Sequence, residues 1–224
     1  MNLLLLAVTP IFIVILYIYY KDKYEKEPRR LLLYNFLLGP IVSIIITMIM
    51  YYGFNIILPL PDRTSVIQQF IRAFFVVGFT EEFSKYIIVK FYSQAKADFN
   101  EPFDGIVYAV MVSMGFAATE NIMYVLQGGY YVGILRAFTA VPAHATFGIL
   151  MGYFVGKAKF SKNRVVLNIT GLLLAILFHG AYDFFLFINF IPGISTGAFV
   201  SLFISILLSR KAIKKHQDNS NFRI

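Results

Sequence analysis

The sequence predicts an all-α membrane protein: a bundle of about seven transmembrane helices, N-terminus outside and C-terminus cytoplasmic. Three observations carry this. Of 224 residues, 58% are hydrophobic and 14% charged, whereas soluble domains run at roughly a quarter charged. Seven apolar stretches follow one another, each with the roughly 20 residues that a helix needs to cross a bilayer. The basic residues fall in alternate connections, the positive-inside pattern. Ten-residue stretches of alternating hydrophobicity are absent, and only helices or closed barrels satisfy backbone groups in lipid, so a barrel is excluded.

In chain order the stretches are 3–20, 31–58, 66–92, 103–126, 131–156, 165–187 and 190–209. The first has no basic n-region, is too apolar for too long, and is followed by no small-x-small cleavage site, so it reads as a retained helix. The next connection, KDKYEKEPRR, carries Lys21, Lys23, Lys26, Arg29 and Arg30, whereas LPLPDR has only Arg63. Lys90 and Lys96 flank the third connection, and QGGYYVG after the fourth span has no basic residue. Lys157, Lys159, Lys162 and Arg164 mark the fifth connection, NFIPGIST is uncharged, and the tail holds Arg210, Lys211, Lys214, Lys215 and Arg223.

Most of the net charge of +8 is therefore topological. The basic residues are scattered over short loops without a recognition element, which excludes nucleic acid as a partner. The lipid bilayer is the expected environment. No cysteine occurs, which removes disulfides, thiol catalysis and cysteine metal sites. With no repeat, linker or low-complexity tract, residues 1–224 are expected to form a single multi-pass domain with a motif core at about 66–187.

The ionisable residues within spans are Arg72, Glu81, Glu82, Lys85, Glu120, Arg136, His144, His179 and Asp183. Arg72 and Arg136 lie near outer helix ends and are expected to snorkel. Lys85 is deeper and is expected to partner a glutamate. The rest are costly in lipid and mark function by default. The blander reading is that they join helices, but four acids and two histidines on four spans weigh against it. Measured from the cytoplasmic helix ends at about 1.5 Å per residue, Glu81 and His144 lie roughly 16–18 Å deep. His179 lies at about 21 Å, and Glu120 and Asp183 at about 26 Å, by the same rise.

The four-residue series Gly171, Ala175, His179, Asp183 and Ala140, His144, Gly148, Gly152, Gly156 put each histidine on a helix-packing face. His179 and Asp183, four apart, can act together, because a carboxylate orients an imidazole or stabilises its cation. Glu120 is the most isolated acid. Two adjacent carboxylates resist ionising together in a low dielectric, so they share a proton or tune one as a general base. Lys85 follows Glu81 by four and Glu82 by three and can hold one of them ionised. That division suits hydrolysis: a glutamate activates water while histidines hydrogen-bond the developing oxyanion.

Other protease signatures fail: HExxH is absent, GISTG at 193–197 matches GxSxG but follows no predicted strand and so makes no nucleophile elbow, and no second deep aspartate accompanies Asp183. A zinc site from His144, His179 and Glu81 is chemically possible. Their spacing specifies no ligand set, so a metal-free, cofactor-free mechanism is preferred. The alternative is a proton-coupled transporter using the same buried Glu/His set. Transporters show repeats and broken helices at midplane, and Pro142, a candidate kink beside His144, is the best feature for that reading.

KDKYEKEP, TEEFSKY, FDGIVYA, GFAATENIMYV, VPAHATFGILMGY and LFHGAYDFF follow in order over about residues 21–187. Through them the chain resembles the PrsW family of bacterial intramembrane proteases, related to the CAAX-processing (Abi) protease superfamily. The resemblance implies a protease of the bacterial cytoplasmic membrane making the site-1 cut in a single-span anti-sigma factor. By similarity to the CAAX proteases, Glu81 activates water, Glu82 and Lys85 support it, and His179 with Asp183 takes the oxyanion side. Glu120 stands where those proteases carry a histidine, which leaves His144 to take that role.

Overall fold

Secondary structure in the computed structural model is described for residues 2–220, 222 and 223. Among them the chain is helical, with π-helical turns and no strand. Helix α1, Leu3–Lys21, starts at Asn2, whose side chain accepts the Leu4 N–H at 3.0 Å. Helices α2, Arg29–Leu38, and α3, Ile44–Ile57, are joined by a π-helical turn over Gly39–Ser43. Pro40 lies in that turn, where its missing N–H cannot close the ordinary helix ladder.

Helices α4, Val66–Ile71, and α5, Phe79–Ile88, form one helical rod with the π-helical turns Arg72–Gly78 and Val89–Ser93. Helix α6, Pro102–Phe138, opens with proline in its first turn and a reciprocal Glu101–Asp104 capping box, an arrangement that satisfies the orphan N–H groups of a helix start. Helices α7, Ala140–Lys159, α8, Arg164–Phe187, and α9, Thr196–Asp218, complete the chain.

Among the described residues, five helical stretches are long and apolar enough to cross a membrane: Leu3–Lys21, Arg29–Ile57, Pro102–Lys159, Arg164–Phe187 and Thr196–Asp218. The third of these holds both α6 and α7, folded against each other. The rod over 66–93 stands apart because Arg72, Glu81, Glu82, Lys85 and Lys90 interrupt it.

The hairpin of α6 and α7 is the centre of the bundle. From Phe103 to Ala118 every residue of α6 is buried, as is almost all of α7 from Ala140 to Gly152. Gly105 makes this possible: a Cβ there would sit 2.4 Å from the Gly152 carbonyl and 2.5 Å from the Gly156 nitrogen. Gly148 faces Ser113 and Ala109 of α6, and Gly171 of α8 faces the Met151 carbonyl of α7. Ala175 is also buried. Helices α1 and α2 pack on α6, while α8 packs on α7, α9 and the turn 72–78. Leu5, Ile13, Met48, Ile49, Val200 and Phe203 are exposed on the outer helices, the surface that lipid covers.

One local expectation is extended and two are corrected. The connection expected at QGGYYVG is present as a break at Gly129, whose φ of 70° and ψ of −159° are non-helical, and a second break, inside the expected fifth span, falls at Thr139 before α7. Glycine alone adopts the Gly129 backbone cheaply, so one helical segment ends there and a second runs on to Phe138. Pro142 therefore lies in the first turn of α7, where a proline costs no hydrogen bond, and it does not kink a helix interior. The last span begins at Thr196 and carries the basic tail as helix to Asp218.

Candidate active site

Glu81 and Glu82 reach the interior because the rod approaches α8 unusually closely. A Cβ on Gly78 would lie 3.2 Å from the Gly180 nitrogen, and one on Gly180 would meet the Phe74 ring at 2.4 Å. Helix α8 can therefore set His179, the residue before Gly180, directly against α5. On the far side, Ser113 Oγ of α6 donates to the His144 carbonyl at 2.7 Å and seats the start of α7. The two imidazoles end edge to face, with centroids 5.3 Å apart.

Glu82 is fully buried, and its Oε1 accepts from Lys85 Nζ at 2.7 Å and from His179 Nδ1 at 2.8 Å. Lys85 is itself buried, 3.3 Å from His144 Nδ1 and over the Phe116 ring. A buried ammonium is tolerable only when paired, and Glu82 supplies the pair. Glu81 is engaged differently. Its Oε1 accepts from Tyr51 at 2.8 Å, while its Oε2 is buried without a hydrogen-bond partner, 3.8 Å from Lys85 Nζ and 3.9 Å from His179 Nε2.

Glu120 is not isolated. Its Oε2 pairs with His144 Nε2 at 2.8 Å and Arg136 at 2.9 Å. Arg136 was expected to snorkel, but it also donates to Asn121 at 2.8 Å, because the kink at Gly129 folds its segment back over α6. Arg72 donates to the Leu60 carbonyl. Asp183 Oδ2 is 3.4 Å from His179 Nε2. The structure thus gathers Glu81, Glu82, Lys85, Glu120, His144, His179 and Asp183 at one place. Gly148, Gly152, Gly156, Gly171 and Ala175 lie in the helix contacts around it.

A cavity of about 650 Å³ opens onto this cluster, lined by Tyr51, Glu81, Glu120, His144, His179 and Asp183 among others. Tyr51 was not singled out from sequence. Ser43, Thr47 and Tyr51 recur every four residues, and this polar stripe on an otherwise apolar helix is the signal that could have found it. Ser43 and Thr47 both bond Ser84 Oγ of α5, the latter at 3.0 Å.

By spacing, one donor set among the described residues could hold a divalent cation. One ligand atom from each of Glu81, His144 and His179 lies within 4.8 Å of the other two. Each histidine also places a ring nitrogen on a carboxylate, His179 on Glu82 and His144 on Glu120. For His179 that is the outer-shell arrangement common around metal-bound imidazoles, whereas the other ring nitrogen of His144 faces Lys85 Nζ at 3.3 Å. The orphaned Glu81 Oε2 is consistent with a ligand role.

A family profile described as "PrsW family intramembrane metalloprotease" matches residues 27–209. The chain belongs to the PrsW family. It is 37% identical over 187 residues to Protease PrsW of Oceanobacillus iheyensis, covering 83% of each chain. It is 38% identical over 186 residues to Protease PrsW of Geobacillus kaustophilus, covering 83% of this chain and 80% of that one. Protease PrsW of Bacillus subtilis is 36% identical over 182 residues, covering 80% of each. No solved structure matches. As a PrsW-family member with several apolar helices, the chain is a multi-pass membrane protease of the bacterial cell membrane.

Proposed function

We propose that this protease hydrolyses a peptide bond in a single-span membrane protein, an anti-sigma factor, using water activated by Glu81. One observation carries the choice of Glu81: both adjacent glutamates keep a buried oxygen that no hydrogen bond occupies, but of the two it is Glu81 that lines the cavity. Glu82 is committed to Lys85 and His179. The transport alternative uses the same residues but does not fit membership of a protease family.

In this reading Glu81 Oε2 takes a proton from water as the water oxygen attacks the scissile carbonyl carbon. The C–N bond then breaks, and the proton passes to the leaving amine. Glu82 fixes His179 through Nδ1, which aims Nε2 toward Glu81 and the cavity. His179 supplies the hydrogen bond to the developing oxyanion, with Asp183 behind it. His144, held by Glu120, takes the second histidine role. The anti-sigma substrate class rests on the family resemblance.

A cation-dependent version is favoured by the compact donor set of Glu81, His144 and His179. Zinc bound there supplies Lewis acidity and makes coordinated water more acidic.

The test is cleavage of a candidate single-span substrate in liposomes by purified protein. Wild type is expected to cut and Glu81→Gln to fail; full cleavage by Glu81→Gln sinks the assignment. Metal content of the purified protein, together with loss of cleavage on chelation and recovery with zinc, selects the cation-dependent version. Full activity in chelator with no bound metal selects direct carboxylate chemistry.

A further inference from the structure

The hydrogen bond from Tyr51 to Glu81 joins α3 to the reaction centre, and α3 is otherwise a peripheral helix. Its outward face is exposed, with Met48 at 65% and Tyr52 at 72%. Along its inward face, and in the last residue of the turn before it, the polar groups have different partners. Ser43 and Thr47 bond Ser84, a seam that only seats α3 on α5. Tyr51, one turn further along, reaches past Ser84 to the Glu81 carboxylate at 2.8 Å. Among the described residues this is the one hydrogen bond made to that carboxylate. The Lys85 and His179 contacts to Glu81, at 3.8 and 3.9 Å, are too long to be hydrogen bonds.

The consequence is geometric. A glutamate side chain has two equivalent oxygens and a freely turning terminal torsion. A donor fixed on one oxygen stops the carboxylate rotating and decides which oxygen does the work. We propose that Tyr51 is a positioning residue for the reaction: its hydroxyl occupies Glu81 Oε1 and thereby presents Oε2 to the reacting water and to His179. The proposal rests on the reading of Glu81 as the group that works at the scissile bond. It adds that α3 takes part in the chemistry through a single hydroxyl. Tyr51 also lines the cavity, so a substrate segment lying along α3 lies against the residue that sets Glu81.

The experiment compares steady-state cleavage by wild type, Tyr51→Phe, Ser43→Ala and Glu81→Gln in the same liposomes, with thermal midpoints measured in parallel. Tyr51→Phe keeps the ring and removes one oxygen. Losing a hydrogen bond to a charged group is expected to lower kcat by about 10–100-fold, with KM within about twofold because a misoriented carboxylate affects the transition state and not substrate binding. Ser43→Ala removes a bond of the same helix seam and is expected to leave both constants unchanged. Wild-type kcat in Tyr51→Phe alongside an inactive Glu81→Gln overturns the proposal and leaves the role of Glu81 standing. An equal loss in Ser43→Ala also overturns it, because the effect is then the seating of α3. A fully active Glu81→Gln removes the reading beneath it, and the proposal with it.

Discussion

Glu82 and His179 lie 97 residues apart in sequence, yet His179 Nδ1 is 2.8 Å from Glu82 Oε1, the same oxygen that accepts from Lys85. One buried carboxylate oxygen therefore both neutralises an interior cation and orients the imidazole that faces Glu81. The two adjacent glutamates are chemically distinct because their helical faces differ. Glu82 points at α8 and Lys85, and Glu81 points at Tyr51 and the cavity.

Glu82→Gln is expected to be a stability mutant as well as an activity mutant. It leaves Lys85 buried without its closest anionic partner, and breaking a buried pair costs about 3–5 kcal/mol. Thermal unfolding in detergent should fall by several degrees, and cleavage should fall by about 10–100-fold as His179 loses its orienting group. Lys85→Met combined with Glu82→Gln should recover stability without recovering cleavage, because the uncompensated charge is gone while the imidazole is still unheld.

Glu120→Gln tests the second histidine. It weakens contacts to both His144 Nε2 and Arg136, and the Arg136 segment beyond the Gly129 kink loses its strongest anchor. Cleavage should fall by about tenfold or more. Limited proteolysis should cut faster within 130–138 than in wild type.

Gly105→Ala tests how the hairpin holds the site. The new Cβ would meet backbone atoms of Gly152 and Gly156 at 2.4 to 2.5 Å, and backbone cannot move aside as a side chain can. Overpacking of this kind costs about 1–3 kcal/mol. The thermal midpoint should drop while substrate KM in surviving protein stays near wild type.

Stability should also depend on pH through the loop before α2. Glu27 is buried, and burial first, then repulsion from Asp104, holds its carboxyl well above the ordinary value near 4.5. Asp22 is pushed up to about 6, chiefly by burial. Unfolded, both groups ionise at acid pH, so above that range the folded state binds more protons than the unfolded one. Stability therefore falls as pH rises from about 4 through neutrality. Melting in detergent should show this slope. Glu27→Gln, which keeps the shape and removes the ionisation, should flatten the slope and raise the midpoint at pH 8. An unchanged slope would show that the loop carboxyls do not drive it.

The bundle was legible because its causes are compositional: apolar length and alternating basic loops leave few other folds open. The cluster was legible as a set, since charged groups in apolar spans are expensive and few enough to enumerate. Its wiring was not. The pairing of Glu82 with His179 depends on Gly78 meeting Gly180, a close approach that neither glycine announces by spacing alone. Glu120 looked isolated because its partner Arg136 comes back only through the kink at Gly129. Tyr51 was hidden because a tyrosine in an apolar helix is ordinary until its hydroxyl is placed.

The most direct measurement is a double-mutant cycle on kcat/KM with Glu81→Gln and His179→Ala, read by substrate cleavage in liposomes. If the two act on one reacting carbonyl, each single variant loses about 10²–10⁴-fold and the double variant is scarcely worse than the more damaging single. Full cleavage by either single variant, or losses that simply multiply, would contradict a shared reaction centre at Glu81 and His179.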